Sequence, residues 1–258
     1  MLDPLDLAGV SSTFAVAEQQ VRRDHLIGHT LAALERLDLP TLVFFGGTAL
    51  TWTLLPNGRL SEDVDLYVAN RPAAAAIIDK ELPRILRREF PGIAWEPGLA
   101  VVRSVDPARL VSREGLVVRV QLLDVERQGW SFLRAERRPL VKRYRDVPVV
   151  TMRVPTTATF AAMKTLAWVD RRTPRDLFDL AGLAAVGALD AAAAEIFQQA
   201  TGRPLAPYDF TGTAPRDWVV ALQHQTGALP SALECLEVVR ASFGAALAWP
   251  NTRSADQR

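Results

Sequence analysis

Two aspartates, Asp63 and Asp65, stand two residues apart in the apolar run DVDLYV. Side chains at positions i and i+2 of a β-strand project from the same face, so a strand here places both carboxylates side by side. Adjacent carboxylates repel each other, and a divalent cation relieves that repulsion. Mg²⁺ held by one or two carboxylates and by substrate phosphates is the usual arrangement for nucleotidyl transfer. The alternative is a pair of solvated aspartates at a strand edge.

A glycine pair precedes these aspartates in the segment FFGGTAL, where an apolar strand is followed by a short helix. Gly46 and Gly47 allow the backbone to approach a bulky ligand, and Thr48 can cap the helix or offer its hydroxyl to a phosphate. By itself the pair fits an ordinary tight turn. A glycine turn, a short helix, a loop and an Asp-x-Asp strand together are far more specific than either part alone.

The elements that position these residues divide the chain into three parts. We predict a mixed α/β domain over residues 1–154, a helical domain over 155–250 and a flexible tail over 251–258. Apolar periodicity predicts a long helix over 14–37 and a second helix over 71–90, interrupted near Pro83. Further strands are predicted at IAWE, LAVVRSV, LVVRVQLLDV and VPVVTMRV.

Composition excludes several classes of protein. The single cysteine, Cys235, excludes an internal disulfide framework, and no secretory signal is apparent, so we expect a cytoplasmic protein. No apolar run reaches the roughly 18 residues of a membrane span. The net charge of +1 argues against a uniformly basic nucleic-acid binder, although the stretch RAERRPLVKRYRDV predicts either an RNA-binding face or a solvated charged face. His25, His29 and His224 show no metal-ligand spacing with Cys235 or one another and are interpreted as ordinary helix histidines.

The blocks GGTAL and RLSEDVDL resemble those of the AbiEii/AbiGii-type nucleotidyltransferase toxins, including the MenT type, within the DNA polymerase β-like nucleotidyltransferase superfamily. A second block, MKTLAWVDRRTPRDLFDL, is similar to the lysine, arginine and Arg-Asp-x-x-Asp helical motif of that family. The two blocks span about residues 44–180 in matching order and spacing. The resemblance implies an α+β nucleotidyltransferase fold with a mixed sheet and helices, followed by an all-helical C-terminal bundle.

The same resemblance implies an activity and partners. The reaction would be Mg²⁺-dependent transfer of a nucleoside monophosphate from an NTP to the 3′ end of tRNA, which blocks translation, and a cognate antitoxin protein would neutralise the toxin. Two alternatives remain open. One is the same chemistry on a protein or small-molecule hydroxyl, and the other is a catalytically inactive nucleotide-binding module.

Site residues follow from the matched motifs. The implied nucleotide-binding residues are Gly46, Gly47, Thr48, Arg59 and Lys164, and the implied metal ligands are Asp63 and Asp65. Arg59 and Ser61 match an Arg-x-Ser pattern that would orient the loop or touch phosphate. Lys164 would contact a phosphate, or it would be a lysine whose stem covers an apolar stripe.

The roles of the remaining acidic residues are left open by the sequence. Asp176 shares a helix face with Asp179 and is either catalytic or part of an Arg-Asp pairing between helices. Superfamily members often add a third carboxylate from a neighbouring strand. Asp124 and Glu126 are the candidates for that role, whereas Gln121 occupies the other face, where an acid would be expected.

Overall fold

The computed structural model describes residues 2–211, 215–227 and 229–249. The predicted tail, 251–258, lies outside this part of the chain. The helices are α1 (Pro4–Phe14), α2 (Glu18–Arg36), α3 (Gly46–Thr51), α4 (Arg71–Leu86), α5 (Thr157–Arg171), α6 (Pro174–Ala185), α7 (Ala191–Thr201), a 3₁₀ helix (Pro207–Phe210), α8 (Trp218–Leu222) and α9 (Ala232–Ala246). The strands are β1 (Val43–Phe45), β2 (Asp63–Val68), β3 (Ala94–Trp95), β4 (Ala108–Val111), β5 (Val117–Asp124), β6 (Ala135–Pro139) and β7 (Thr151–Pro155).

The chain forms two compact units. The first comprises Met1–Pro155 together with the short segment Gln223–Ala228, and the second comprises Thr156–Leu222 with Leu229–Arg258. The pattern of apolar residues predicts that residues 223–228 belong to the helical domain, whereas in the structure they belong to the first unit. Long-range contacts of a six-residue segment leave no periodic signal in a sequence, which explains the difference.

A five-stranded mixed sheet with the order β1-β2-β5-β4-β3 forms the centre of the first unit. Its two central strands, β2 and β5, run parallel, and the other neighbouring pairs run antiparallel. Helices α2 and α4 pack against one another and against β5. Strands β6 and β7 form a separate antiparallel ribbon. All the regular elements described in the second unit are helices, and the predicted α+β architecture is thereby confirmed.

Alternation along β5 determines which side chains meet the core. Val118, Val120 and Leu122 are buried, whereas Arg119 and Gln121 lie on the other face. Since a parallel partner presents its side chains in register, the buried side chains of β2 join the same apolar layer. The remaining positions of both strands are left for polar side chains, and these include Asp63 and Asp65.

The prediction of a strand at residues 99–105 is wrong, because this segment is a loop in the structure. The Asp79 carboxylate on α4 accepts hydrogen bonds from the backbone N–H groups of Leu99 and Ala100, both at 2.8 Å. Arg71 donates to the carbonyls of Leu99 and Val102, both at 2.9 Å. Side chains of α4 therefore satisfy backbone groups that a strand would pair with a neighbour. The helix itself continues through Pro83 to Leu86.

The helices of the second unit begin at polar caps. Thr156, Asp190 and Ser231 each accept a backbone N–H at the start of α5, α7 and α9. Such caps satisfy donors that the first helical turn leaves without an intrahelical partner. Across the described ranges of the chain, we find no helix that combines the length and the apolar character needed to cross a bilayer.

Candidate active site

The glycine pair lies at the junction of β1 and α3, and each glycine leaves room for a different side chain. Gly46 has a φ of +80°, and a Cβ atom there would collide with the Asp65 carboxylate. A Cβ atom on Gly47 would lie 2.6 Å from Nη2 of Arg59. Gly46 is therefore required by both its backbone and the Asp65 carboxylate, whereas Gly47 leaves space that the Arg59 guanidinium fills.

Asp63 and Asp65 project from the same face of β2, as their spacing predicts. In the β2–β5 pairing, Asp63 is opposite Arg119 and Asp65 is opposite Gln121. Arg119 donates two hydrogen bonds to the Asp63 carboxylate, from Nε at 2.6 Å and from Nη2 at 3.1 Å. These bonds, with the negative charges of Asp63, Glu62 and Asp65, raise the pKa of the Arg119 guanidinium above its ordinary value although burial opposes the shift.

This donor set fits a divalent cation. The Asp63 side chain is 33% exposed and already binds a cationic group, so a positive charge is accommodated at its outer face. Two carboxylates on one strand face supply the oxygen ligands that Mg²⁺ prefers. Position 121, opposite Asp65, carries the amide of Gln121, whose Nε2 donates to the Val105 carbonyl at 3.0 Å.

The structure does not bring Asp124 to this pair. Asp124 is paired with Val68, three positions beyond Asp65 in the register, and its parity places it on the opposite face of β5 from Gln121. Its Oδ1 accepts hydrogen bonds from the backbone N–H groups of Glu126 and Arg127, at 3.1 and 3.2 Å. These contacts make Asp124 the polar cap of the turn that follows β5, and we do not retain it as a metal ligand.

Thr48 and Arg59 both serve the architecture of the turn. Thr48 is buried, and its hydroxyl donates to the backbone carbonyl of Asp63, which fastens α3 to β2. Arg59 is 3% exposed and donates from Nη1 to Oε1 of Gln225 at 2.8 Å. The backbone of the same glutamine accepts from Leu60 at 2.8 Å. The short returning segment thus anchors the loop that leads into β2, which favours the loop-orienting role for Arg59.

In the helical unit, Lys164 lies between the two aspartates of the second motif. Its ammonium is 2.6 Å from Oδ2 of Asp179 and 3.5 Å from Oδ1 of Asp176. Asp176 also accepts two hydrogen bonds from Arg171, at 2.7 and 2.9 Å, and one from Thr173 at 2.6 Å. The Asp176 carboxylate is fully buried, and its acceptor positions are occupied by these donors.

The electrostatics of Asp176 follow from this arrangement. Burial alone would raise its pKa, but the hydrogen bonds from Arg171 and Thr173 and the charge of Lys164 together lower the pKa to about 2. A carboxylate of this kind is a poor proton acceptor near neutral pH. The contacts therefore favour a role in positioning Lys164 over direct participation in chemistry.

A comparison with protein families identifies the chain. Residues 30–230 match the family model described as nucleotidyl transferase AbiEii toxin, type IV toxin–antitoxin system. The match covers well over half of the sequence and includes both motif blocks. The chain belongs to the AbiEii toxin family.

Two solved structures have a fold similar to that of this chain. The nucleotidyltransferase toxin MenT4 from Mycobacterium tuberculosis H37Rv superposes with a TM-score of 0.67 at 18% identity, covering 98% of this chain and 91% of that one. A nucleotidyltransferase candidate from H. pylori gives a TM-score of 0.55 at 16% identity, covering 92% and 100% respectively. At these identities the likeness concerns the fold. None of the curated proteins matches the sequence.

Membership in the AbiEii family makes the chain a nucleotidyltransferase toxin of a toxin–antitoxin system. The sequence did not reveal two residues that shape the site of this AbiEii protein, Arg119 and Gln225. Arg119 and Gln121 are spaced two apart, like Asp63 and Asp65. This spacing indicates from the sequence that both side chains project from one face of their strand. Their parallel register was not available, because it depends on contacts between strands that are distant in the sequence.

The basic stretch at residues 134–147 is only partly a surface of the AbiEii fold. Tyr144 is 1% exposed, and its hydroxyl donates to Asp24 at 2.8 Å. Arg143 donates two hydrogen bonds to the same buried carboxylate, at 3.1 and 3.2 Å. These two residues are therefore internal, and neither belongs to a continuous RNA-binding face. Tyr144 has its pKa raised by burial and by Asp24, so its hydroxyl remains a donor.

Proposed function

We propose that this AbiEii toxin transfers a nucleoside monophosphate from an NTP to the 3′-terminal hydroxyl of tRNA in the cytoplasm, with Mg²⁺ at Asp63 and Asp65. Loss of a usable 3′ end blocks aminoacylation and hence translation. A cognate antitoxin protein neutralises the activity. Family membership supports the nucleotidyltransferase chemistry, and the resemblance to MenT-type toxins supports the tRNA acceptor.

The observation that carries the proposal is the joint placement of the two aspartates and the glycine turn. Asp65 rests against Gly46, so the carboxylate face of β2 and the backbone of the turn are immediate neighbours. The cap residue of α3, Phe45, has no side-chain acceptor for the first N–H groups of that helix. A triphosphate against the turn would therefore lie next to the carboxylates that hold its counter-ion.

The chemistry assigns a distinct task to each group. Gly46 and Gly47 leave room for the Asp65 carboxylate and the Arg59 guanidinium against the turn, while Arg59 and Gln225 hold the following loop. When bound by Asp63 and Asp65, a magnesium ion neutralises triphosphate charge and favours ionisation of the attacking hydroxyl. The hydroxyl oxygen forms a bond to the α-phosphorus, the bond from that phosphorus to the bridging oxygen breaks, and pyrophosphate leaves.

Lys164 is the phosphate contact that we propose in the helical unit. An ammonium group has three donors, and its two carboxylate partners leave capacity for a phosphate oxygen. Asp176 and Asp179 would act as positioning residues, because they hold the ammonium in one place and compensate its charge while no phosphate is bound. Arg171 completes the cluster through Asp176.

A pair of arginines favours a polyanionic acceptor. Arg137 and Arg153 are opposite each other in the β6–β7 ribbon, and both side chains are exposed. Like charges directly opposite one another destabilise a strand pair. A phosphate backbone bound across them would remove that repulsion, as expected for a protein that binds RNA.

The test is an incorporation assay with the purified full-length protein. Each labelled NTP is incubated with protein, MgCl₂ and total RNA in cell extract, and products are separated by size. We expect label in tRNA-sized RNA, dependent on Mg²⁺, and its loss in Asp65→Asn by about 100-fold or more, since a metal ligand has been removed. The matched control is Asp106→Asn, because Asp106 forms an exposed ion pair with Arg103 outside the site; it should retain activity.

Periodate treatment of the RNA distinguishes the 3′ end from internal hydroxyls. Oxidation destroys the terminal diol, so label should disappear with oxidised RNA and persist with untreated RNA. Label in protein or in small molecules would refute the tRNA acceptor while retaining the chemistry. Equal labelling by wild type and Asp65→Asn would refute the assigned site.

A further inference from the structure

Three side chains of the first unit direct their ligand atoms toward a single point. His25 and His29 lie one turn apart on α2, and Asp146 lies in the segment between β6 and β7. The Nε2 atoms of the two histidines are 3.2 Å apart. His25 Nε2 is 3.0 and 3.1 Å from the two Asp146 oxygens, and His29 Nε2 is 3.5 Å from Oδ2. Among the residues that the structure describes, no other group of three such side chains converges in this way.

These separations match those of ligands around one metal ion. Zinc binds imidazole nitrogen and carboxylate oxygen at roughly 2.0–2.2 Å in tetrahedral geometry, which places neighbouring ligand atoms about 3.3 Å apart. The two Nε2 atoms and Oδ2 of Asp146 are separated pairwise by 3.1, 3.2 and 3.5 Å. A small cation can therefore be accommodated with little movement of the side chains.

Hydrogen bonding alone accounts poorly for the same geometry. A ring nitrogen has one position in the ring plane, which holds either a proton or a lone pair. His25 Nε2 faces both Asp146 and His29 Nε2, so a proton directed at the carboxylate is not available to the other ring. A second proton on His29 would point toward the first. One cation replaces these competing protons and is bound by all three atoms at once.

We infer that His25, His29 and Asp146 form a binding site for one first-row divalent cation of the Zn²⁺ type. Two imidazoles and one carboxylate are donors that suit zinc, whereas Mg²⁺ prefers oxygen ligands only. The site is built from other residues than Asp63 and Asp65, and it does not depend on the proposed function. The Asp146 side chain is 27% exposed, which gives an ion and a water ligand access to the cluster.

The surroundings indicate what the ion would do. It would connect α2 to the segment that contains Arg143 and Asp146. Arg143 donates to the Thr51 carbonyl at 2.7 Å, and the N–H of Val141 donates to the carbonyl of Trp52 at 2.8 Å. These contacts support the C-terminal end of α3, the helix that begins at the glycine turn. A bound ion would therefore stabilise the scaffold behind the nucleotide site.

Cobalt titration of the full-length protein tests this assignment, because tetrahedral Co²⁺ at a zinc site absorbs visible light. The protein is first treated with a chelator and then titrated with CoCl₂, and ZnCl₂ is added to displace the cobalt. We expect one equivalent of Co²⁺ and a visible band that Zn²⁺ abolishes. His29→Gln and Asp146→Asn should each weaken Co²⁺ binding by about 100-fold or more. Loss of a residue that only hydrogen-bonds to a metal ligand costs about 10–100-fold in affinity, and loss of a ligand itself should cost at least as much.

Two controls separate this site from the others. His224→Gln removes an exposed histidine and should leave the Co²⁺ band unchanged. Asp63→Asn/Asp65→Asn should also retain the band, whatever its effect on activity. Because Asp146 is partly exposed, Asp146→Asn should still fold, as circular dichroism would verify. Zn²⁺ at about 100 times its Kd should raise the Tm of wild type by roughly 5 °C or more and leave Asp146→Asn unchanged.

Either of two results would overturn the inference. One is that the wild-type protein fails to bind one Co²⁺ ion per chain. The other is a band that survives in both His29→Gln and Asp146→Asn, or that is lost in the Asp63→Asn/Asp65→Asn variant. A band that depends on His29 and Asp146, together with the Zn²⁺-dependent rise in Tm, would establish the site.

Discussion

Replacing Gly46 with alanine should damage the site in a way that a matched control does not. Gly46 has a φ of +80°, and a Cβ atom there collides with the Asp65 carboxylate. Gly115, in the turn between β4 and β5, has a φ of +79°, and no heavy atom lies within 4 Å of the position that its Cβ atom would occupy. Both glycines belong to the first unit. Both substitutions therefore carry the energetic cost of placing an alanine in a left-handed backbone conformation. Only Gly46→Ala adds a steric collision with Asp65.

The expected magnitudes follow from these two terms. A left-handed backbone costs an alanine about 1–2 kcal/mol relative to glycine, so Gly115→Ala should lower the free energy of unfolding by that amount. Forcing extra volume into a packed position costs roughly 1–3 kcal/mol more. Gly46→Ala should therefore lose about 2–5 kcal/mol. Part of that loss can be avoided if Asp65 rotates away, but the carboxylate is then displaced from its position beside Asp63.

Urea unfolding and the NTP incorporation assay together measure both consequences. Gly46→Ala should be less stable than Gly115→Ala and should lose incorporation by at least about 100-fold, whereas Gly115→Ala should retain it at a temperature where both variants are folded. If Gly46→Ala equals Gly115→Ala in stability and keeps wild-type incorporation, the contact between Asp65 and the turn has no functional importance and the reasoning fails.

Two further predictions concern the charged partners of the site residues. Arg119→Met should lower the Mg²⁺ concentration for half-maximal incorporation by about 2–5-fold, because an ion pair to Asp63 of roughly 0.5–1 kcal/mol no longer competes with the metal. Arg103→Met, which removes an exposed arginine, is the control. An unchanged or higher Mg²⁺ requirement in Arg119→Met would contradict the proposed competition between Arg119 and the metal. Asp176 has a folded pKa of about 2, below its ordinary 3.8, so its ionisation stabilises the fold above about pH 4 and this contribution is lost as pH falls toward 2. Asp176→Asn should thus cost about 2 kcal/mol at pH 7, and urea unfolding should show the gap from wild type narrowing below pH 4; a gap that stays constant from pH 7 to pH 2.5 would argue against the ion cluster.

Local patterns in the sequence were enough to predict that the two carboxylates share one strand face and that a turn precedes them. The period of two in DVDLYV places Asp63 and Asp65 on one face whatever strand lies next to them. A glycine pair between a strand and a helix marks a turn with close contacts for the same local reason. The division into a mixed part and a helical part also follows from periodicity, which is a property of neighbouring residues.

Tertiary structure decided which distant groups meet these residues. The register of β2 against β5 places Arg119 on Asp63 and Gln121 beside Asp65, and a shift of one residue would have turned both away. Likewise, the sequence indicated only ordinary helix histidines at His25 and His29, because Asp146 joins them from more than a hundred residues away. The segment at 99–105 has the composition of a strand and became a loop because Asp79 and Arg71 bind its backbone. Periodicity describes how a segment presents its own side chains, whereas pairing and ligation depend on energies between segments that the chain brings together only on folding.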